Sequence, residues 1–438
     1  MLLTSDVALV DGTVRHRFAL RIEGGAIVAA GAREELARAG EPVTDLGRRA
    51  MLPGTVNAHN HSFQSLLRGF GDDLPFLEWR DKALYRFSPR LDTEGVYTGA
   101  LFAFAEMALH GVTTVCDFFY LNNNGNDNAR AVIAAARALG MRIVMARCFY
   151  DWDGAPAMYR ESVADAHERF LGLHAEFAGA RDVLVCPAPH SLHGASEEMI
   201  RAGADAAARV GTRWHIHLAE EKYQVDDARK VYGTTPLRAI EKMGLLSSDL
   251  VAVHGCWFDA DERAMLAERG ASLAYNPNSN MFLGDGVTDV VDLVARGARV
   301  ALGTDGGCSN SRVSVFDEMR ACALLQKVAR TDGQAIDAET CFRMGTAWGG
   351  EVLGLPIGRL AVGQRADVSF VDLDDLSLWP WIEGQTLAKN IVYSLSPRAI
   401  SDVFVEGEPI VRDRTLVRVS LDEVRERVRA LTADWHRE

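Results

Sequence analysis

MLPGTVNAHNH (residues 51–61) is the stretch on which the reading of the whole chain turns. An apolar run opened by Pro53 and Gly54 ends in His59 and His61, and side chains two apart on a strand project from the same face. Two imidazoles therefore emerge together where a strand stops. That is half of a metal site on rigid backbone, with nitrogen donors suited to zinc and neighbouring transition metals. Two polar residues closing a strand would look the same, so the reading depends on whether the rest of the chain supplies further ligands.

Downstream, apolar runs recur with a regular period: GVTTVCDFFY (111–120), MRIVMARCFY (141–150), DVLVCPAPH (182–190), RWHIHLAE (213–220), DLVAVHG (249–255), ASLAYNP (271–277) and ARVALGTDGG (298–307). With the first, eight strands are expected, separated by helical patterns. Several helices carry their own punctuation. Ser196 caps a run closed by Gly211, Asp259 and Glu262 make the two halves of a capping box before Gly270, and Thr235 precedes Pro236 at a first helical position. Eight strand–helix units in about 300 residues predict a (β/α)8 TIM barrel. An open doubly wound sheet is the competitor, but no GxGxxG follows a strand.

A barrel of this kind carries its chemistry at the carboxyl ends of its strands. His59 and His61 end the first, Tyr120 the second, His190 the fourth, His217 and Glu220 the fifth, His254 the sixth and Asp305 the eighth. Of twelve histidines, six lie at or near these ends when His215 is counted. His215 shares a face with His217 but is expected to be a hydrogen-bonded interior residue, because His217 alone has a glutamate three positions on.

The chain ends read differently. DVALVDG and FALRIEGGAIVAAG near the start, and ADVSFVDLD (366–374) and SDVFVEGEPIVRD (401–413) near the end, are short strands with glycine turns. They predict a small β-sandwich built from both ends: residues 1–52, then a barrel over 53–355, then the rest of the sandwich and a C-terminal helix over 356–438.

Composition bounds the function. Across 438 residues, 48% are apolar and 24% charged, as in soluble globular proteins. The formal charge of −13, with no dense Lys/Arg cluster, disfavours nucleic acid and anionic membrane as partners. No apolar segment is long enough to span a bilayer, and MLLTSDVALVDG has neither the basic nor the long apolar part of a signal peptide. Seven cysteines without a CxxC suggest buried thiols in a reducing cytoplasm. The expectation is a cytoplasmic enzyme with a small-molecule substrate and no nucleic-acid or membrane partner; the sequence leaves the oligomeric state open, a homodimer being one option.

The succession HxH, HxxE, strand-end His, strand-end TD resembles the metal-dependent amidohydrolase superfamily, with signatures standing here as PGTVNAHNH, HIHLAEE, VAVHG and LGTDGG, and with GRLAVGQRADVSFVD (358–372) in the split β unit. The resemblance implies that His59, His61, His217 and Asp305 bind one divalent metal ion, Zn2+ first and Fe2+ or Mn2+ as alternatives. The lack of a lysine at the end of the fourth strand implies a single-metal site. It further implies that Asp305 takes a proton from the attacking water, that Glu220 protonates a ring or imine nitrogen, and that His254 holds the attacking oxygen and the tetrahedral centre. Three neutral imidazoles and one carboxylate would leave the ion positive, with an open position for water.

For the substrate, two resemblances compete. LLRGFGDDLPFLEW (66–79) and NPNSNMFLG (276–284) are similar to deaminases of methylthioadenosine, S-adenosylhomocysteine and related aminated heterocycles, and MARCFYD (145–151) to triazine hydrolases. In the nucleoside enzymes a carboxylate nine residues after the tryptophan binds ribose hydroxyls; counted from Trp79, this chain has Ser88. HSFQ (61–64), Trp79-Arg80, Tyr120, PHSL (189–192) and LGDG (283–286) resemble formimidoylglutamate deiminase. That likeness implies substrate contacts from Gln64, Arg80, Tyr120 and His190, with His193 in place of an arginine that grips a carboxylate. Trp79 and Phe63 either sandwich a planar ring or pack in the core. Asn276, Asn278 and Asn280 read as turn formers around Pro277. The expected activity is hydrolytic deamination of a small aminated nitrogen heterocycle, contacted by Gln64, Trp79, Arg80, Tyr120, His190 and His193. N-formimino-L-glutamate deimination is the alternative, and a catalytically silent scaffold the remote one.

Overall fold

The computed structural model describes residues 1–382 and 384–435; the last three residues of the expected C-terminal unit lie outside them. Five strands come first: β1 (Leu2–Val10), β2 (Thr13–Glu23), β3 (Ala26–Ala32), β4 (Val43–Asp45) and β5 (Arg49–Pro53). The middle of the chain carries β6 (Thr55–His61), β7 (Val112–Phe119), β8 (Arg142–Phe149), β9 (Val183–Pro189), β10 (Trp214–Leu218), β11 (Leu250–His254), β12 (Ser272–Tyr275), β13 (Arg299–Leu302) and the two-residue β14 (Asp305–Gly306). The last strands are β15 (Val368–Asp372), β16 (Ile400–Val405), β17 (Glu408–Arg412) and β18 (Thr415–Leu416).

All the strands expected in the middle of the chain form, and they alternate with helices. They lie in two parallel sheets, one ordered β14-β6-β7-β8-β9 and the other β10-β11-β12-β13. Two links join the sheets. Ser191 bridges to His217 beyond the end of β9, and β14, two residues after β13, pairs Asp305 with Asn60 and Gly306 with His61. β6, β7 and β8 are buried along their whole length, because helices cover parallel sheets and leave no solvent face to alternate with. The caps act as read from the sequence. Ser196 accepts from the Met199 N–H at the start of Glu197–Val210, which ends at left-handed Gly211. Asp259 and Glu262 close a capping box on Ala260–Glu268, and Pro236 opens Pro236–Lys242.

The two chain ends share one nine-stranded sheet, ordered β18-β17-β16-β15-β5-β1-β2-β3, with β4 beside β1. β5 pairs antiparallel with β15, Pro53 opposite Val368 and Arg49 opposite Asp372. The strand that ends at Pro53 is therefore anchored in the end sheet just before β6 leaves for the site. Arg142 on β8, buried and bonded to Asp367 and Glu406, ties the middle of the chain to this sheet. Leu421–Leu431 forms the C-terminal helix.

Candidate active site

The residues singled out at strand ends converge. His59 and His61 lie with ring centroids 4.7 Å apart. His59 Nε2 is 3.3 Å from His217 Nε2 and 3.4 Å from Asp305 Oδ1, and His61 Nε2 is 3.3 Å from the same oxygen. Four donors at roughly 2.0–2.1 Å from one tetrahedral centre would stand about 3.3–3.4 Å apart, so the three observed separations match the edges of such a cage. The ring orientations agree. His61 Nδ1 donates to the Phe118 carbonyl at 2.6 Å and His217 Nδ1 to the His190 carbonyl at 2.7 Å. A carbonyl only accepts, so each ring carries its proton on Nδ1 and turns an Nε2 lone pair inward. Burial lowers the His61 pKa to about 4 and drives that of His217 well below its usual value, leaving both rings neutral and able to ligate. The donor set therefore fits one divalent cation.

Local sequence explains why the ligands meet. Asn57 on β6 accepts from the Thr304 N–H at 3.0 Å and donates to its hydroxyl at 2.7 Å, which fastens the approach to Asp305. Asp117 at the end of β7 accepts from Asn60 and from both the N–H and the hydroxyl of Ser62, fixing the chain on either side of His61. The glycines of LGTDGG allow close approach: a Cβ on Gly303 would stand 2.8 Å from His59 Cβ, and one on Gly306 only 1.7 Å from Gln64 Oε1. Three non-glycine residues here adopt left-handed backbone: Ala219 (φ 51), His254 (φ 73) and Asp305 (φ 55). Such conformations concentrate at functional sites.

Beside the ligand cage stand Glu220 and His254, with Oε1 and Nε2 3.4 Å apart. Glu220 accepts from Gln224 Nε2 at 3.2 Å. Burial, reinforced by the charge of Asp305, pushes its carboxyl well above the ordinary range, as an acid working at neutral pH requires. Burial brings His254 down to about 3. Its Nδ1 faces the side-chain amide nitrogens of Asn280 at 2.9 Å and Asn276 at 3.3 Å. Amide N–H groups donate, so Nδ1 accepts and the proton sits on Nε2, directed at Glu220 and the cage. Asn276 and Asn280, read above as turn formers, thus orient His254 from the N-cap and the body of the helix Pro277–Leu283. Asn278 bonds instead to Glu318.

For Asp305, burial opposes ionisation, but the contact with His59 and the neighbouring imidazoles hold it far below the ordinary carboxylate range. Its Oδ2 accepts from the hydroxyls of Ser279 at 2.6 Å and Ser309 at 3.2 Å.

A cleft with about 570 Å3 of unfilled space, its open mouth included, reaches this centre. All six residues expected to contact substrate line it. Gln64 donates to Tyr120 Oη at 2.5 Å. Trp79 Nε1 donates to the Cys308 carbonyl. The Arg80 guanidinium is held by Asp81 and lies over the rings of Tyr85 and Trp152. His190 and His193 form part of the wall, and burial lowers His193 to about 4. Phe63 does not line the cleft. It is fully buried against Phe119 and Tyr120, so of the two readings for it, core packing holds. The flat wall comes instead from Trp79 with Tyr85, Tyr150 and Tyr159; Tyr150 ends the third expected strand within MARCFYD, whereas Tyr85 and Tyr159 lie in none of the stretches singled out. Ser88 is fully buried and bonds to Tyr159 Oη and the Leu84 carbonyl. His215, interior as expected, has Cys116 Sγ 4.0 Å from its Nδ1. All seven cysteines are free thiols, and no helix among the described residues is long and apolar enough to cross a membrane.

Residues 50–410 match the model of the amidohydrolase family. A 5-methylthioadenosine/S-adenosylhomocysteine deaminase of Syntrophobacter fumaroxidans is 35% identical over 439 residues, 97% of each chain. A 5'-deoxyadenosine deaminase of Methanothermobacter thermautotrophicus is 32% identical over 90% of this chain and 89% of its own. Among solved structures, a zinc-bound adenosine deaminase of Xanthomonas campestris superposes with a TM-score of 0.92 over 100% of this chain and 98% of its own, at 27% identity. The zinc complex of atrazine chlorohydrolase from Arthrobacter aurescens, at 24% identity, shares the fold with a TM-score of 0.91 over 98% of this chain and 99% of its own.

Proposed function

This chain belongs to the amidohydrolase family, and from that premise we propose that it is a hydrolytic deaminase of a small aminated nitrogen heterocycle, cleaving an amidine-like C–N bond and releasing ammonia. It acts as a hydrolase on carbon–nitrogen bonds of cyclic amidines. The observation that carries the reading is the packing of His59, His61, His217 and Asp305 donor atoms at 3.3–3.4 Å, beside the Glu220–His254 pair. Support for a barrel over 53–355 comes from the two parallel sheets and their links at Ser191–His217 and Asp305–Asn60. Support for one end unit over 1–52 and 356–438 comes from the sheet the two ends share. We take the cation to be zinc, as in the solved relatives with bound zinc, and the compartment to be the cytoplasm.

In this reading His59, His61, His217 and Asp305 hold the ion, which when bound supplies Lewis-acid activation of water. Asp305, ionised and fixed by two serine hydroxyls, withdraws a proton from the attacking water. Glu220, kept protonated by burial, gives its proton to the ring nitrogen next to the carbon under attack. His254 donates from Nε2 to the oxygen that gains charge, an interaction stronger in the tetrahedral state than in the ground state. Trp79, Tyr85, Tyr150 and Tyr159 offer flat faces to a planar ring. Gln64, Tyr120, His190 and His193 offer polar groups at its edge, and Arg80 a cation at the rim.

The carboxylates lining the cleft among the described residues are Glu220 and Asp305, and Ser88 is turned into Tyr159. With no further carboxylate to clamp a ribose diol, the free heterocycle is favoured over its riboside. With His193 neutral, the formimino substrate lacks a second cation for its carboxylates. The test is ammonia release by zinc-loaded enzyme from aminopurines, pterins, cytosines, aminotriazines, 5'-deoxyadenosine and N-formimino-L-glutamate. Turnover of a ring compound, abolished by Glu220→Gln, is the expected result. Turnover of the formimino compound alone would overturn the heterocycle assignment.

A further inference from the structure

Asp285 lies in the loop after Pro277–Leu283, between Gly284 (φ 76) and Gly286 (φ 140). It is 1% exposed. Glu220, His254 and Asp285 each place a side-chain donor or acceptor atom within 4.8 Å of the others. Asp285 Oδ2 accepts from Asn280 Nδ2 at 2.9 Å, and the same amide nitrogen faces His254 Nδ1. Its other oxygen, Oδ1, is buried with no hydrogen-bond partner. From the end of β10 it is faced by Glu220 and Glu221, and from the end of β11 by His254 and the Cys256 thiol. Lys222 lies outside, over the Trp257 ring and paired with Asp226. Nothing in this set supplies a positive charge to Asp285.

We propose that Asp285 is a positioning residue for the proton of Glu220: the two buried carboxyls share one proton store, and Asp285 keeps Glu220 in its acid form at pH values where a lone carboxyl would have ionised. The proposal rests on the reading of Glu220 as the acid. Two carboxyls this close and this dry cannot both carry charge. Burial, with the Glu220 charge acting the same way, pushes Asp285 up to about 10. During turnover the Glu220 proton forms the N–H bond on the substrate ring, the Asp285 proton passes to Glu220, and the Asp285 carboxylate is refilled from solvent on the partly exposed Glu221 side. Of the two protons of the attacking water, one leaves with ammonia and the other returns through solvent to restore the pair. Because the titration belongs to the pair, the alkaline limb of the rate profile reports both residues.

The experiment is the pH profile of kcat/KM for Asp285→Asn, which keeps an oxygen to accept from Asn280 and so preserves a purely structural role. The alkaline limb should move down by about one pH unit or more, a tenfold loss of rate at the pH where the wild-type limb begins. An unmoved limb, with Glu220→Gln inactive, overturns the proposal and leaves the acid assignment intact. Activity in Glu220→Gln would instead refute the acid assignment itself. Infrared spectroscopy of the zinc-loaded wild type against Asp285→Asn gives a readout that needs no substrate. Buried Glu318, itself raised to about 8, contributes a protonated-carboxyl band of its own, so the signal is the part of the neutral-pH band that disappears in Asp285→Asn. A band identical in wild type and Asp285→Asn refutes the shared proton store.

Discussion

Replacing Asp305 by Asn isolates the group on which ligand cage and proton transfer both depend. One oxygen of Asp305 stands 3.3 and 3.4 Å from His61 and His59 Nε2. The other is held by Ser279 and Ser309. The amide has the same shape, and its oxygen can accept from the two hydroxyls, so the fold should survive. Its NH2 would then point at the imidazole lone pairs and occupy them by hydrogen bonding. Loss of the base alone is worth about 10²–10⁴ in rate. Loss of a charged ligand weakens metal binding by more than the roughly 10–100-fold that outer partners cost. Taken at 10³ or beyond, kcat/KM falls by the equivalent of about 4 kcal/mol in barrier. The assay is ammonia release on the best substrate of the panel, with metal content measured on the same sample so that an empty site is not mistaken for a lost base. A variant carrying one metal per chain and turning over within tenfold of wild type would refute the assignment of Asp305 as base.

Two further outcomes follow from the packing. Burial lowers His215 to about 3, against about 6.5 in an unfolded chain, so its contribution is present above pH 6.5 and is lost as pH falls from 6.5 toward 3, where only the unfolded state takes up the proton. From neutrality to pH 5 that is about 2 kcal/mol; His215→Asn should flatten the acid side of the urea-denaturation profile by about this amount, and an unchanged profile would mean that the ring is already protonated when folded. Gly306→Ala places a Cβ 1.7 Å from Gln64 Oε1 at ordinary backbone angles (φ −70), so the cost is steric. Stability should fall by about 1–3 kcal/mol and KM should rise as Gln64 is pushed off Tyr120, whereas a wild-type KM would remove Gln64 from the substrate wall.

The strands, the helix caps and the residues of the ligand cage were legible because each is a local signal. A strand end fixes where His59 and His61 point, and HxxE separates His217 from His215. The aromatic wall was legible only in part: Trp79 and, at the end of the third expected strand, Tyr150 lie in stretches the motifs mark, but nothing in the neighbours of Tyr85 and Tyr159 tells a cleft-lining ring from a core one. Phe63 was ambiguous for the converse reason, since the phase of the short helix Ser62–Leu67, which turns Gln64 into the cleft and Phe63 away from it, carries no mark in the sequence. Asn276 and Asn280 flank Pro277 as turn formers do, and their second role requires knowing that His254 lies across from them. A signal was present in their spacing: a cap residue and the residue four positions on, at the start of a helix, lie on one side of it.

Strain at Ala219, His254 and Asp305 connects these observations. A left-handed residue other than glycine costs on the order of 1–3 kcal/mol where it is not supported, and each of the three ends or follows a strand that carries a working group. Around them the backbone is tied down: the Trp257 N–H donates to the Ala219 carbonyl at 3.1 Å, the Gly255 N–H to the Leu218 carbonyl at 3.0 Å, and the Thr288 hydroxyl to the His254 carbonyl at 2.8 Å. An extended continuation would carry β10 and β11 past the cleft and aim Glu220 and His254 along the strand direction. The left-handed turn folds both back over the ligand cage and brings them to 3.4 Å of each other. The geometry that makes Glu220 an acid is thus imposed by backbone conformation at its neighbours. Substitutions at Ala219, Gly255 or Thr288, none of which lines the cleft, should therefore lower kcat with little change in KM.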